Sequence, residues 1–348
     1  MKKLTSTLLK TTCSAVVGSV IAMSAQAADV TLKVHHFLPK QAPAHKQFLL
    51  KWADAVEKDS NGRIDVKVYA AMALGGKAPQ LVDQVKDGFV DVVWTLPGYT
   101  PGRFPAVSAF ELPFMVTDAE QTSMALQEYY ESNAAVQEEF KDIHPLFFFT
   151  HDRGLMHTKG KAIRNLDDLQ GMRMRIPSRP VANAMAAYGA TPVAMPVPAM
   201  PQALSKNVID GTVVPYEIVP AYRLHELTDY QTEVQGERGL YTSVFLFGMN
   251  KAKYESLDAE LKAVIDKNSG IAWSQMMGKV WVDAENPGRK FVKKAGNEVI
   301  NLPEADVAKM KEMAKDVHAA WVAEMNDKGL DGQALLDSAN AMLDKHSK

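Results

Sequence analysis

Two separate runs of alternating strand and helix patterns constrain the fold of this chain more than any other feature. The first run covers residues 30–94 and the second covers residues 172–214. Each contains three strand patterns separated by two helix patterns. Strands that alternate with helices pair in parallel through right-handed crossovers, so each run predicts one α/β unit. Together the runs favour an α/β fold with two lobes that face each other across a ligand cleft.

The predicted elements follow from apolar periodicity and from stop signals such as Asn61-Gly62. Each lobe is expected to hold a mixed or parallel sheet flanked by helices. A long helical stretch at 258–294 is predicted to brace both lobes, with an interruption and a bend near Pro287-Gly288. We place the first lobe at 28–150 plus 241–281, and the second at 151–240 plus 282–348. Strands are predicted at 30–37, 64–68, 89–94, 145–150, 172–176, 191–194, 209–214 and 241–249, and helices at 44–60, 79–87, 179–188 and 199–207.

The first 27 residues have the pattern of a secretory signal peptide. Three lysines at positions 2, 3 and 10 precede a short apolar run at 15–23, and Ala25-Gln26-Ala27 supplies small residues for cleavage. We predict cleavage after Ala27 and a periplasmic mature chain, with an uncleaved N-terminal anchor as the alternative. No later run approaches about 18 apolar residues, so no membrane span is expected in the mature chain.

Composition excludes several classes of protein. The single cysteine, Cys13, lies inside the leader, which leaves the mature chain without disulfides, a thiolate nucleophile or Cys-ligated zinc. The whole chain has a formal net charge of −2, and loss of the three leader lysines makes the mature chain −5. A nucleic-acid-binding protein would carry a basic patch instead. Serine hydrolase, zinc peptidase and nucleotide-binding motifs are absent from the sequence, so we predict no enzyme, no cofactor and no metal site.

Arg175 is the strongest candidate for a binding residue. It lies in Gly171-Met172-Arg173-Met174-Arg175-Ile176-Pro177-Ser178, near the carboxyl end of a predicted buried strand. Ligands bind at that edge in open α/β sheets, and a guanidinium group there can hold a carboxylate through two parallel hydrogen bonds. We therefore predict a site for an organic acid, with a structural ion pair as the alternative role of Arg175. Arg173 alternates to the opposite face of the strand.

Other candidate contacts lie at strand ends or in the loops that follow them. Aromatic rings at a cleft can stack on a ligand ring, and tyrosine hydroxyls can hydrogen-bond a carboxylate. The alternative role of each aromatic residue is packing at the lobe interface, and that of Arg103 is a solvated loop charge. Glu217 is expected to hydrogen-bond ligand hydroxyls or to bind a cation. The candidates are His36, Phe37, Trp94, Tyr99, Arg103, Tyr216 and Glu217.

The order and spacing of these motifs resemble those of the extracytoplasmic solute-binding subunits of TRAP transporters, the DctP-like family. The strongest match is the segment 166–177, which reads Leu-Asp-Asp-Leu-Gln-Gly-Met-Arg-Met-Arg-Ile-Pro. The resemblance covers essentially the whole mature chain. Other matching segments are 32–37, 72–76, 88–93, 111–114, 189–192 and 208–211.

This resemblance implies a periplasmic receptor that closes about a hinge, captures an organic acid and passes it to separate membrane permease subunits. It also implies that Arg175, in the family's Gly-x-x-x-Arg-x-Pro motif, forms the carboxylate salt bridge. A second family arginine matches Arg153 in His151-Asp152-Arg153-Gly154. For Arg153, a salt bridge with Asp152 or another carboxylate is the alternative.

Two departures from the family pattern argue against a polyhydroxylated ligand. Sialic-acid-binding members carry Glu-Asn-Pro where this chain has Val213-Val214-Pro215, and Glu where it has Leu96. An apolar pocket cannot satisfy many hydroxyl groups. This favours a monocarboxylate with an apolar or aromatic body, while a short dicarboxylate or a keto acid stays open. A periplasmic protein that reports to a membrane sensor is the alternative function, and a hydrolase is a more distant one.

Overall fold

The computed structural model describes residues 28–347, so the predicted leader and its cleavage site lie outside the described residues. This part of the chain forms eleven strands in two sheets and twelve α-helices. The strands are β1 Val30–His36, β2 Ile64–Tyr69, β3 Val92–Thr95, β4 Ile143–Thr150, β5 Leu155–Thr158, β6 Arg173–Ile176, β7 Thr191–Ala194, β8 Gly211–Val214, β9 Tyr230–Glu233, β10 Val244–Asn250 and β11 Glu298–Asn301. The helices are α1 Leu50–Asp59, α2 Leu81–Lys86, α3 Ala119–Ser132, α4 Ala134–Glu139, α5 Arg179–Ala187, α6 Met200–Ser205, α7 Val219–Tyr222, α8 Lys251–Glu255, α9 Ala259–Lys267, α10 Gly270–Ala295, α11 Glu304–Asp327 and α12 Gly332–His346.

The first lobe is built on a five-stranded sheet with the order β2-β1-β3-β10-β4. The first predicted run supplies β1, β2 and β3, which pair in parallel, and β10 enters antiparallel between β3 and β4. Aromatic side chains fill its core. Phe48, for example, packs against Phe247 with 5.0 Å between ring centroids and against Phe149 at 5.4 Å.

The second lobe is built on a six-stranded sheet with the order β11-β9-β5-β8-β6-β7. The second predicted run supplies β6, β7 and β8, again in parallel, while β5 runs antiparallel to β8 and β9. The predicted α/β architecture of two lobes is therefore confirmed. The prediction did not include β5, β9 and β11, which have only four residues each and place polar groups such as His157 and Gln231 in the interior.

The chain crosses between the lobes at 151–154 and again at 234–243. Helix α10 packs on α3 and β4 of the first lobe and on the turn Tyr216–Ile218 and α7 of the second, so it braces both as predicted. The last two helices are also shared. Helix α11 packs on α5 of the second lobe, whereas α12 packs on α3 of the first.

The prediction that the bracing helix is interrupted near Pro287-Gly288 is wrong, because α10 continues through both residues. The break in the predicted long helix falls earlier, between α9 and α10, where Gly270 has a φ of +73°. Gly288 serves packing instead. A Cβ atom at this position would lie 2.0 Å from the carbonyl oxygen of Tyr216, so glycine lets the helix approach the second lobe closely.

Candidate functional site

A cavity lies between the two lobes, where about 410 Å³ of space, part of it open to solvent, is not filled by protein atoms. Residues that follow the carboxyl ends of β1, β3, β6 and β8 contribute to its wall, the edge at which the sequence predicts a ligand. The lining residues are Phe37, Leu38, Trp94, Leu96, Tyr99, His151, Arg175, Pro177, Val197, Val214, Pro215, Glu217, Ile218, Tyr241, Ser243, Phe245 and Trp281.

Arg175 is the one lysine or arginine side chain in this wall, and it is only 2% exposed. Its Nε donates to the carbonyl oxygen of Met195 at 2.8 Å, and Nη1 donates to that of Val213 at 3.4 Å. Its Nη2 has no hydrogen-bond partner among the described residues, and no carboxylate lies within salt-bridge distance in this part of the chain. The arrangement is a buried guanidinium group fixed by two main-chain carbonyls, with one donor nitrogen left over.

The lobes touch each other directly at the cavity. The Val197 N–H of the second lobe donates to the Tyr99 hydroxyl of the first at 3.0 Å. Burial raises the pKa of Tyr99, and the Arg175 charge opposes that rise. Because Tyr99 accepts from Val197, its own proton is free to be donated. A second bridge joins the Gln41 side chain to the Ala221 carbonyl at 3.2 Å.

Close contact also occurs at Gly98, between the two lobes. A Cβ atom at Gly98 would lie 2.7 Å from the Cβ of Ser178 and 3.1 Å from a carboxylate oxygen of Glu111. Burial raises the pKa of this Glu111 carboxyl to about 7, and the main-chain N–H of Val244 donates to it at 3.0 Å. The interface therefore has no room for a side chain at position 98.

Aromatic rings form much of the cavity wall. Phe37 stacks on Trp94 at 5.0 Å and meets the edge of Tyr99 at 5.7 Å. Trp94 also contacts Trp281 of α10 at 5.9 Å and Phe245 of β10 at 5.2 Å. Such a wall suits a flat apolar body, because ring faces and edges pack against each other favourably.

Glu217 places a carboxyl group in the same wall. It belongs to the turn Tyr216–Ile218 after β8, and the Glu285 carboxylate of α10 accepts the main-chain N–H groups of Tyr216 at 3.1 Å and Glu217 at 2.9 Å. The Glu217 side chain is 3% exposed, and its Oε1 has no partner among the described residues. Burial raises its pKa to about 8, so the carboxyl is largely protonated at neutral pH.

Phe37, Trp94, Tyr99, Arg175 and Glu217 are thus the predicted contacts that the structure brings together around one cavity. His36 and Tyr216 lie just behind its wall. His36 is fully buried with Nε2 3.0 Å from His45 Nδ1, and burial lowers its pKa to about 3. The Tyr216 hydroxyl donates to Glu233 at 2.8 Å.

The structure places the other two predicted arginines outside the wall. Arg103 forms an ion pair with Asp83 at 2.6 Å. Arg153 donates to the carbonyl oxygens of Thr117, of Gly236 at 2.6 Å and of Glu237 at 2.7 Å. Its donors therefore tie the two crossing segments, 151–154 and 234–243, to each other and to the first lobe. These partners are main-chain groups, not the carboxylates expected from the sequence.

Sequence reasoning missed several lining residues. Tyr241, Ser243, Phe245 and Trp281 come from the second crossing segment, β10 and α10, far along the chain from Arg175. His151 is held between the Asp152 carbonyl and Ser243, whose hydroxyl lies 3.2 Å from Nε2, and burial lowers the pKa of its imidazole to about 4. The sequence around these missed lining residues is typical of ordinary core strands and helices. Only the long-range pairing of the sheets shows that they line the cavity.

Across residues 28–347, no helix has the length and apolar character needed to cross a membrane. The same residues hold no group of three or more His, Cys, Asp or Glu side chains arranged to bind a metal ion.

Comparison with known families identifies the class of protein. Residues 34–325 match the family model described as bacterial extracellular solute-binding protein, family 7, also called DctP. The chain belongs to this family. The resemblance read from the sequence motifs is therefore confirmed, and so is the prediction that the chain is not an enzyme, since the family members and structural neighbours are solute-binding transport proteins.

Solved structures place this family 7 member among the TRAP solute-binding proteins. One similar structure is a marine metagenome TRAP solute-binding protein specific for aromatic acid ligands, in complex with 3-hydroxybenzoate. It is 49% identical, the match covers 92% of this chain and 100% of that chain, and the TM-score is 0.90. Another is a TRAP solute-binding protein from Rhodoferax ferrireducens T118 with copurified benzoate, at 44% identity, 91% and 98% coverage and a TM-score of 0.89.

Among curated relatives, the family 7 chain is 28% identical over 327 residues to a Comamonas testosteroni protein named outer membrane transporter protein TsaT. That match covers 93% of this chain and 95% of the relative.

Proposed function

We propose that this chain captures an aromatic monocarboxylate in the periplasm, holds its carboxylate on Arg175 and delivers it to TRAP membrane permease subunits. The observation that carries the proposal is the state of the Arg175 guanidinium group, which is 2% exposed, unpaired by any described carboxylate and short of one hydrogen bond. A buried charge without a counter-ion is costly. A ligand carboxylate would supply both the missing charge and the missing acceptor.

The aromatic wall supports an aromatic ligand body. Phe37, Trp94, Phe245 and Trp281 surround the cavity with rings, and Val214 and Leu96 add aliphatic surface where a sugar acid would need polar partners. Hydroxyl groups buried against these side chains would lose their hydrogen bonds to water without replacement. A benzene ring has no such hydrogen bonds to lose, and it gains contacts with the aromatic side chains of the wall.

The balance of charge supports a single carboxylate. Arg175 is the one lysine or arginine side chain of the wall, so the wall supplies a counter-charge for one carboxylate and none for a second. A short dicarboxylate would therefore leave one of its charges buried without a partner. The charges of the wall therefore favour benzoate-like acids over succinate-like acids.

Capture would end with closure of the lobes over the ligand. The contacts between Tyr99 and Val197 and between Gln41 and Ala221 join the lobes around the cavity. Exclusion of water strengthens the attraction between a carboxylate and Arg175, because the local dielectric constant falls. Hinge motion would be shared among the two crossing segments and α10.

The relatives support the same ligand class. The marine metagenome protein was crystallised with 3-hydroxybenzoate and the Rhodoferax ferrireducens protein retained benzoate through purification, at 49% and 44% identity to this chain. We extend their ligand class to this chain because its own cavity has the cation and the rings that such acids require. Periplasmic location, cleavage after Ala27 and delivery to permease subunits are proposed from the leader pattern and the family.

A thermal-shift screen of residues 28–348, refolded from denaturant to remove retained ligand, tests the proposal. Benzoate and the hydroxybenzoates should raise the melting temperature in a concentration-dependent way, since a ligand of the native state stabilises it by mass action. Succinate, pyruvate, gluconate and the neutral analogue benzamide should have little effect. A larger shift from succinate or pyruvate than from benzoate would overturn the proposed ligand class.

Delivery to permease subunits needs a separate test. Membrane vesicles that contain the cognate permease should take up labelled benzoate only when the receptor is added. Uptake that is independent of the receptor would contradict the proposed role in transport.

A further inference from the structure

Three buried polar atoms in the cavity wall have no hydrogen-bond partner among the described residues: Arg175 Nη2, Trp94 Nε1 and Glu217 Oε1. Two other polar groups of the wall are paired, Tyr99 with the Val197 N–H and His151 with the Ser243 hydroxyl. The unpaired Arg175 donor suits the carboxylate of the proposed ligand. The Glu217 carboxyl needs a different partner, one that carries a hydrogen-bonding group without charge.

The position of Glu217 is fixed from behind. The Glu285 carboxylate of α10 accepts the Glu217 N–H at 2.9 Å, and Gly288 on the same helix lets α10 lie against the turn. Pro215 and Ile218, which lie close to Glu217 in the chain and also line the cavity, are apolar. An unpaired carboxyl that is 3% exposed and held on a packed turn is a built feature of the cavity.

The Glu217 carboxyl is not paired with the guanidinium group, since Glu217 Oε1 and Arg175 Nη2 both lack hydrogen-bond partners among the described residues. The two side chains also come from different elements, Arg175 from β6 and Glu217 from the turn after β8. A ligand whose carboxylate rests on Arg175 would therefore present a different part of its body to Glu217. A protonated carboxyl can donate one hydrogen bond and accept another, which suits a hydroxyl group.

We propose that the Glu217 carboxyl forms a second polar contact of the ligand and selects aromatic acids that carry a ring hydroxyl at the meta or para position. The inference rests on the proposed function, since it assumes a carboxylate on Arg175. A site that hydrogen-bonds a ligand hydroxyl rejects analogues that lack it, because its own buried group is then left unpaired. A methyl group is close to a hydroxyl group in size but forms no hydrogen bonds. Comparing hydroxyl and methyl derivatives therefore isolates the effect of the hydrogen bond to Glu217.

The experiment measures dissociation constants by calorimetry for benzoate and for the hydroxy and methyl derivatives at the meta and para positions. Wild-type protein should bind 3-hydroxybenzoate or 4-hydroxybenzoate at least about tenfold more tightly than the matching methylbenzoate. Glu217→Leu should abolish or reverse that preference, measured as the ratio of the hydroxybenzoate and methylbenzoate dissociation constants of the variant itself. Glu217→Gln, a neutral polar replacement of the same shape, should keep most of the preference.

The outcomes separate the two proposals. If wild-type protein binds benzoate but Glu217→Leu leaves the ratio of hydroxy to methyl affinities unchanged at both positions, the role of Glu217 is refuted and the proposed function stands. If wild-type protein binds no aromatic acid, the proposed function fails and the inference fails with it. A cooperative thermal unfolding transition of each ligand-free variant shows that the variant is folded.

Discussion

Replacing Arg175 by methionine should separate ligand binding from stability. The guanidinium group is buried, has no carboxylate partner among the described residues and makes two hydrogen bonds to the carbonyls of Met195 and Val213. Its removal costs those two bonds, worth about 1 kcal/mol each. It also relieves a buried unpaired charge, whose penalty amounts to several kcal/mol even after local relaxation. We therefore expect the ligand-free melting temperature of Arg175→Met to equal or exceed that of the wild type.

Binding should change in the opposite direction. Loss of one partner of a buried, hydrogen-bonded charge pair costs roughly 2–5 kcal/mol, so the dissociation constant for benzoate should rise by a factor between about 30 and 4,000. Calorimetry on the refolded mature chain measures this change, and differential scanning fluorimetry of the ligand-free protein measures the change in stability.

Arg173→Met is the matched control, since it lies on the same strand two residues away. Its guanidinium group is 44% exposed and pairs with Asp210 at 2.6 Å, and exposed pairs of this kind contribute at most about 1 kcal/mol. Benzoate affinity should stay within about threefold of wild type. The reasoning is refuted if Arg175→Met keeps wild-type affinity, or if it lowers the ligand-free melting temperature as a truncation in the core would.

Three further predictions concern the lobe contacts and the buried acid. Tyr99→Phe removes the acceptor of the Val197 N–H, and an unpaired buried donor costs roughly 1–3 kcal/mol. The variant should therefore bind benzoate about tenfold more weakly. Unchanged affinity in calorimetry would count against this contact. Gly98→Ala should weaken binding because its Cβ would lie 2.7 Å from that of Ser178, and Ser178→Gly should recover part of the loss in the double variant; equal affinities for the single and double variants would contradict the steric reason. Burial raises the pKa of Glu217 from 4.5 to about 8, so the folded state keeps a proton that the unfolded chain releases, and the free energy of unfolding should fall as the pH rises through that interval. Urea titrations of Glu217→Gln between pH 5 and pH 8 should show a flatter decline than wild type, by an upper limit of about 4 kcal/mol at about 1.4 kcal/mol per pH unit, and parallel curves would show that the group titrates normally.

The sequence was sufficient to predict the architecture of two lobes and several residues of the cavity wall, including Arg175. Arg175 could be placed because its strand is followed at once by Pro177-Ser178, which marks the carboxyl edge of a parallel sheet. Phe37 and Trp94 could be placed in the same way at the ends of their strands.

The sequence could not separate residues that face a ligand from residues that face the core. Both faces of a central strand are buried, so alternation alone does not say that Phe37 lines the cavity while His36 meets His45 behind it. Arg153 illustrates a second limit, because its partners are main-chain carbonyls of Thr117 and of the distant segment 236–237. Trp281 reaches the wall from α10, and only the packing of that helix between the lobes brings it there.

A crystal structure of residues 28–348 with bound benzoate would show which side chains hold the ligand. We expect a carboxylate within about 2.7–2.9 Å of the Arg175 guanidinium nitrogens and a ring packed among Phe37, Trp94 and Trp281. A carboxylate bound to Arg153 or Arg103, or a ring outside the cavity between the lobes, would contradict the proposed site.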